Sequence, residues 1–298
     1  MSDPTLQFVT CPDAHGGHRM AYWQWGKPDS PHVVLCVHGL TRQGRDFDAI
    51  AQALCAAASG EVRVVCPDVV GRGRSDWLKD PQGYQIGCYA ADMLVLMNQL
   101  QASTLDWVGT SMGGLIGMVV ASQPELPACA RIRRLVLNDV GPVLAWQALQ
   151  RIGQYLGKLA VFESEQRAAE VLWQVSSTFG PHTPQQWLAL TRPMLKPLAD
   201  GSGRLTLHYD PSIAKPFESI TEASSSEGEA LLWQAYDQIK AQTLLLRGAD
   251  SDLLTSATAL AMTQRGPRAR LLEFAGVGHA PTLIAPDQQQ AVVSFLLD

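Results

Sequence analysis

Charge is scarce in this chain of 298 residues: Asp, Glu, Lys and Arg together make up 17%, while hydrophobic residues reach 46%. That balance excludes a disordered or mainly solvated polypeptide, which requires the reverse. The formal net charge is −5 and no long basic run occurs. A nucleic-acid surface or an anionic membrane is therefore not expected as the main partner. No apolar run approaches the ~18 residues of a membrane span. A basic segment followed by an apolar one is also missing from the N-terminal stretch. Neither secretion nor membrane insertion is expected, and the expected compartment is the cytoplasm. Six cysteines stand at positions 11, 36, 55, 66, 88 and 129, without a C-x-x-C pair or a Cys/His cluster at zinc-ligand spacing. Cys36 and Cys66 fall inside apolar runs and read as small core residues in a reducing compartment. The remaining composition suits one large α/β domain with room for an insertion. Eight Trp and seven Phe offer aromatic material for a pocket.

Short apolar runs alternate with helical patterns along most of the chain. Residues 6–9 and 18–25 read as an antiparallel pair around a turn cluster at 12–17. Runs at 33–37, 62–66, 105–109, 134–138, 243–247 and 270–274 are continuous and apolar, the mark of strands buried on both faces. Helices are expected at 44–58, 84–100, from 112, near 228–240, at 254–264 and from 286. Such alternation with short connections predicts a parallel sheet covered on both sides. The pattern breaks after Pro142. Residues 143–157, 163–179 and 184–195 carry helical periodicity with no strand between them, and 196–226 are rich in Pro, Gly and Ser. The expected organisation is a core over 1–142 and 227–298, interrupted by a helical lid over 143–226. The lid tryptophans at 146, 173 and 187 fit lid core or pocket wall equally.

Reactive groups in a sheet of this kind gather at the carboxyl ends of the strands. His38, Ser111, Asp139, Asp250, Asp252 and His279 all stand at such ends. Ser111 sits in Gly109-Thr110-Ser111-Met112-Gly113, a G-x-S-x-G between an apolar strand and a small-residue helix, which is the context that makes the motif a nucleophile elbow. The Met112 N–H then lies at a helix N-terminus, where negative charge is favoured. In His38-Gly39-Leu40-Thr41 the glycine admits a ligand close to the backbone, and the Leu40 N–H is placed to face the same oxygen; His38 is expected to order the loop. The glycines of Gly71-Arg72-Gly73-Arg74 lack both a third fingerprint glycine and a P-loop Lys-Ser/Thr, so they read as a structural turn.

Taken together, V-H-G-L at 37–40, D-V-V-G-R-G-R-S at 68–75, G-T-S-M-G at 109–113 and G-V-G-H-A-P at 276–281 resemble the α/β-hydrolase family, in order and over essentially the full length. The resemblance implies a mostly parallel eight-stranded sheet with helices on both faces, a helical cap after the sixth strand, and a Ser–acid–His triad in that chain order. Ser111 would be the nucleophile and His279 its base, with Leu40 and Met112 N–H groups as oxyanion donors. The acid departs from the commonest family pattern, since Ser251 fills the usual position, flanked by Asp250 and Asp252. Some members place the acid after the sixth strand instead, and Asp139 is favoured here over Asp252. Other roles are available to both: Asp139 as a cap for the first lid helix, Asp252 as an N-cap for the helix at 254. Arg42 suits a substrate carboxylate or, more simply, an ion pair with Asp46.

The expected function is hydrolysis of a small acyl substrate, foremost a carboxylic ester, with no metal or organic cofactor. Thioester, lactone, amide and carbon–carbon bond hydrolysis share the same machinery and stay open, as does a non-catalytic small-molecule receptor on the same fold. Ser111 at the elbow disfavours the aspartate-nucleophile chemistry of epoxide and haloalkane hydrolases.

Overall fold

A computed structural model describes residues 3–123, 125–127 and 131–298; Cys129 lies outside them. The N-terminal pair forms as expected, β1 (Thr5–Cys11) antiparallel to β2 (His18–Gly26), with Cys11 opposite His18. There follow β3 (His32–Val37), α1 (Asp48–Ala57), β4 (Arg63–Pro67), α2 (Ile86–Leu100), β5 (Thr104–Thr110), α3 (Met112–Ala121) and β6 (Ile132–Asn138). A long segment then carries α4 (Trp146–Tyr155), β7 (Val161–Phe162), α5 (Glu165–Ser176), α6 (Pro184–Thr191), β8 (Leu195–Pro197), β9 (Leu205–Leu207) and α7 (Glu222–Gln238). The chain closes with β10 (Gln242–Gly248), α8 (Ser256–Gln264), β11 (Arg270–Phe274) and α9 (Pro286–Leu297).

Eight strands form one sheet in the order β1-β2-β4-β3-β5-β6-β10-β11. Only β2 runs antiparallel to its neighbours; the remaining pairings are parallel. The apolar runs supply both faces by simple alternation. Val33, Leu35 and Val37 of β3 join Leu135, Leu137 and Leu245 in a core shared with α2, α3 and α8. Val34 and Cys36 join Val136, Leu244 and Leu246 in a second core under α1 and α9. Continuous hydrophobicity in these strands therefore reflects burial from two sides. Cys36 and Cys66 are fully buried free thiols, as their setting predicted.

The segment between β6 and β10 differs in detail from its sequence reading. A small three-stranded sheet, β7-β9-β8, interrupts the helices where no strand was expected. Its strands have two or three residues, too short to show a period of two. The helix expected at 228 begins at Glu222. Thr221 and Ser224 cap it reciprocally, so the serine run that suggested a loop is a helix start. Trp187 is core within this segment: its indole N–H donates to the Ala169 carbonyl (2.7 Å), and its ring packs edge-on against Trp173 and Phe179. Trp146 instead walls a cavity of about 370 Å³ between α4 and residues 211–220.

Several contacts hold this segment over the strand ends. Among them, the Gly278 N–H donates to the Thr178 carbonyl, and Tyr84 donates its hydroxyl hydrogen to Asp210 (2.6 Å). Among the described residues no helix is long and apolar enough to cross a membrane.

Candidate active site

The reversal from β5 into α3 is built on two glycines that tolerate no side chain. A Cβ on Gly109 would stand 2.4 Å from the Gly113 carbonyl oxygen, and one on Gly113 would stand 1.9 Å from that of Val37. Both are impossible approaches, so the turn can be this tight only with glycine there. Ser111, between them, takes a left-handed φ of 52°, a strained conformation for a non-glycine residue. Its backbone N–H is held by the Asn138 carbonyl of β6 (3.0 Å). The Trp107 indole, fully buried under α3, donates to the Gly113 carbonyl (3.1 Å) and fixes the helix start. Met112 is the first residue of α3, and its N–H belongs to the free end of the helix.

Three sequence candidates converge on this turn. The His279 ring sits with Nε2 at 2.9 Å from Ser111 Oγ and Nδ1 at 2.7 Å from Asp139 Oδ2. A carboxylate only accepts, so Nδ1 carries the proton and Nε2 presents its lone pair to the hydroxyl. Asp139 is wholly buried, and the His279 side chain retains 18% exposure. The remaining bonds of the carboxylate come from the Gly248 N–H (2.8 Å) and the Ser251 hydroxyl (2.6 Å). Ser251, at the position where the family pattern would set an acid, thus supports the carboxylate that reaches in from β6. Asp139 adopts a left-handed φ of 55°, with its N–H on the Leu246 carbonyl (2.8 Å), which turns its side chain toward the histidine loop.

Asp252 does not join this group. It is exposed and pairs with Arg151 of α4 (2.6 Å); the N-cap of α8 is Thr255. Asp250 is exposed as well. Arg42 reaches Asp46 through both Nε and Nη2 (2.8 Å for the latter) and contacts Leu190 and Met194 of the inserted segment. The ion pair is the arrangement present.

The Leu40 N–H is presented by a loop pinned on both flanking carbonyls. His38 donates from Nδ1 to the Gly39 carbonyl (2.7 Å) and accepts the Val69 N–H at Nε2 (2.9 Å). Burial holds its pKa down to about 3, so this imidazole is neutral and works as a strut. On the other side Arg72 Nε donates to the Leu40 carbonyl (2.8 Å). Arg72 is completely buried, with Nη1 on the Val70 carbonyl and the Tyr89 hydroxyl and its guanidinium over the Tyr89 ring. A carbonyl and an N–H on one trans peptide point in opposite directions. Holding the Gly39 carbonyl therefore aims the Leu40 N–H the other way.

Sequence reasoning missed Arg72, Ser251 and Asn138 as members of the site. Asn138 donates from Nδ2 to Thr110 Oγ1 (2.9 Å) and to the Pro281 carbonyl (2.8 Å), tying the serine turn to the histidine loop. The available signal was a polar amide ending an apolar strand, immediately before a carboxylate.

The arrangement can activate a hydroxyl and receive a negative oxygen. The family model for the alpha/beta hydrolase fold matches residues 32–286. The chain is 48% identical over 288 residues to a 3-hydroxybutyrate-oligomer hydrolase from Cupriavidus necator, covering 96% of each chain. It is similar to the crystal structure of an alpha/beta hydrolase from Novosphingobium aromaticivorans, with a TM-score of 0.83 at 34% identity and 99% of both chains covered. A 2-(acetamidomethylene)succinate hydrolase from Mesorhizobium japonicum is more distant, at 23% identity over 89% of this chain and 87% of the relative.

Proposed function

The chain belongs to the α/β-hydrolase family, and from that premise we propose that it is a serine esterase cleaving short oligomers of 3-hydroxy acids through an acyl-enzyme on Ser111. The observation that carries the reading is the file of hydrogen bonds from Ser111 Oγ through His279 to Asp139, at 2.9 and 2.7 Å. Ser111 Oγ attacks the ester carbonyl carbon while His279 Nε2 takes the hydroxyl proton. Asp139 keeps the imidazole in the required tautomer and stabilises the imidazolium. The Leu40 and Met112 N–H groups receive the oxyanion, each contributing roughly 3 kcal/mol by analogy with such donors. Collapse of the adduct breaks the ester C–O bond, and His279 passes its proton to the departing alkoxide. Water, deprotonated in turn by His279, attacks the acyl group, releasing the acid and restoring Ser111. No metal or organic cofactor takes part in this sequence.

Support for the substrate class comes from the Cupriavidus necator relative, similar across nearly the whole of both chains. Residues 143–226 would be the lid between the two core segments, 1–142 and 227–298. The cytoplasm is the proposed compartment, in keeping with free thiols at Cys11, Cys36, Cys55, Cys66 and Cys88.

The test is release of monomer from the linear dimer and trimer of 3-hydroxybutyrate. Wild-type protein is expected to turn both over, and Ser111→Ala to lose on the order of 10⁶ in kcat, the scale for removing such a nucleophile. A fluorophosphonate probe is expected to label wild type at Ser111. Turnover surviving in Ser111→Ala would overturn the serine route. Hydrolysis of p-nitrophenyl esters with no action on the oligomers would overturn the substrate class alone, and a folded protein inert to probe and esters would point to a receptor.

A further inference from the structure

A second cluster of reactive side chains lies at the β1 edge of the sheet, and hydrolysis at Ser111 does not use it. Cys11 and His18 are register partners across β1 and β2. Asp92 approaches them from α2. One donor atom from each, a sulfur, an imidazole nitrogen and a carboxylate oxygen, all lie within 4.8 Å of one another, and all three residues are buried. His18 Nε2 is 3.0 Å from Asp92 Oδ2. Its other nitrogen, Nδ1, is 3.0 Å from Asp13 Oδ2, and the Asp13 carboxylate is fixed by the backbone N–H groups of His15 (2.7 Å) and Gly17 (2.9 Å). Beside the cluster is a cavity of about 290 Å³ lined by His18, Asp92, Asp13 and Cys88. Cys88 precedes Asp92 by one helical turn and so shares its side of α2.

We propose that Cys11, His18 and Asp92 form a binding site for one divalent cation of the zinc class, its fourth position open to the cavity that Cys88 flanks. The donor set selects the ion. Thiolate with imidazole suits Zn²⁺ or Co²⁺, whereas Mg²⁺ and Ca²⁺ require oxygen ligands. Bond lengths of ~2.0–2.2 Å to nitrogen and oxygen at a tetrahedral centre put those two atoms roughly 3.3 Å apart, and ~2.3 Å to sulfur leaves the thiol a short approach to make. The present spacing of nitrogen and oxygen is near that value. Asp13 completes the design, because a metal-bound histidine generally gives its other ring N–H to a carboxylate, which sets its tautomer and orientation. Charge also balances: thiolate and carboxylate together neutralise a dication, so no net charge is buried. Binding would release the thiol proton and any proton held on His18 to solvent.

The cation would join the β1–β2 pair to α2, with β1 four strands along the sheet from β5, and act on stability. Metal-free protein titrated with Co²⁺ is expected to take up one equivalent, with a thiolate-to-cobalt charge-transfer band in the near ultraviolet that Zn²⁺ abolishes by displacement. Excess Zn²⁺ is expected to raise the melting temperature by mass action on the folded state. Cys11→Ala, a small buried replacement, should lose the band and bind Zn²⁺ at least ~10-fold more weakly while retaining ester turnover. Asp13→Asn should keep the band and weaken Zn²⁺ binding by ~10–100-fold. Absence of the band with folded wild-type protein, uptake well below one equivalent, or unchanged affinity in Cys11→Ala would each overturn the site. The cluster would then be a proton-held network of His18 with two carboxylates.

Discussion

At the scale of single residues, the contrast between Asp139 and Asp252 makes the sharpest prediction. Both are acids at strand ends in the sequence, yet one is buried against His279 and the other is paired with Arg151 in solvent. Asp139→Asn should lower kcat by about 10⁴, since an amide at that place favours the wrong imidazole tautomer. Asp252→Asn should leave kcat unchanged and alter stability by no more than ~0.5 kcal/mol, as is usual for an exposed ion pair. Steady-state kinetics with parallel urea unfolding would check both, and a loss confined to Asp252→Asn would reverse the roles. Ser111 and His279 were legible as candidates from their local motifs. Asp139 and Asp252 both stand at strand ends, and no local motif separates them. Ser251 could not be assigned a task from sequence, because its task is to donate a hydrogen bond to a residue 112 positions away.

At the scale of elements, glycines of the same chemical kind have opposite meanings. Gly113, in the first turn of α3, lies against the backbone of β3, where an added Cβ meets the Val37 carbonyl at 1.9 Å. Backbone cannot yield as a side-chain end does, so Gly113→Ala should cost about 3 kcal/mol, the upper end of overpacking penalties, and displace the serine turn. Gly228 lies within α7 and an added Cβ there meets nothing within 4 Å. Gly228→Ala should therefore raise stability by ~0.5–1 kcal/mol through helix propensity, with activity intact. Urea midpoints for the two variants would test the pair; equal effects would contradict this reading of the elbow. The long strands were readable because burial on both faces makes their runs continuously apolar, and the helices because burial on one face imposes a period. The three-stranded sheet of the inserted segment was not, since strands this short carry no period and their pairing is set by what they pack against.

For the molecule as a whole, buried ionisable groups make stability depend on pH in opposing directions. Burial holds His38 down to about 3 and His208 down to about 4 from an ordinary 6.5. As pH falls below about 6.5 the unfolded chain gains protons that the fold refuses. Their contribution is full above that pH and is lost on acidification, at up to ~1.4 kcal/mol per pH unit for each group. Asp68 works the other way: burial raises it to about 6 from 3.8, so the fold holds a proton that the unfolded chain has released, and stability rises as pH drops through that interval. The bare pH curve mixes these effects, and a variant separates them. His38→Gln should make the stability–pH slope between about pH 4 and 6 less steep by close to one proton relative to wild type. Urea unfolding at several pH values would measure it, and an unchanged slope would mean that His38 is protonated in the fold.

Sequence alone determined the layered α/β architecture, the serine turn and the loop that carries His279. Each is written in residues adjacent along the chain, where hydrophobic period and steric demand act locally. Only the tertiary structure decided which carboxylate meets His279, how His38 and Arg72 brace the Leu40 loop, and that Cys11, His18 and Asp92 stand together. Those are facts of strand order and of the depth at which distant segments bury one another, and no spacing within a single segment encodes them.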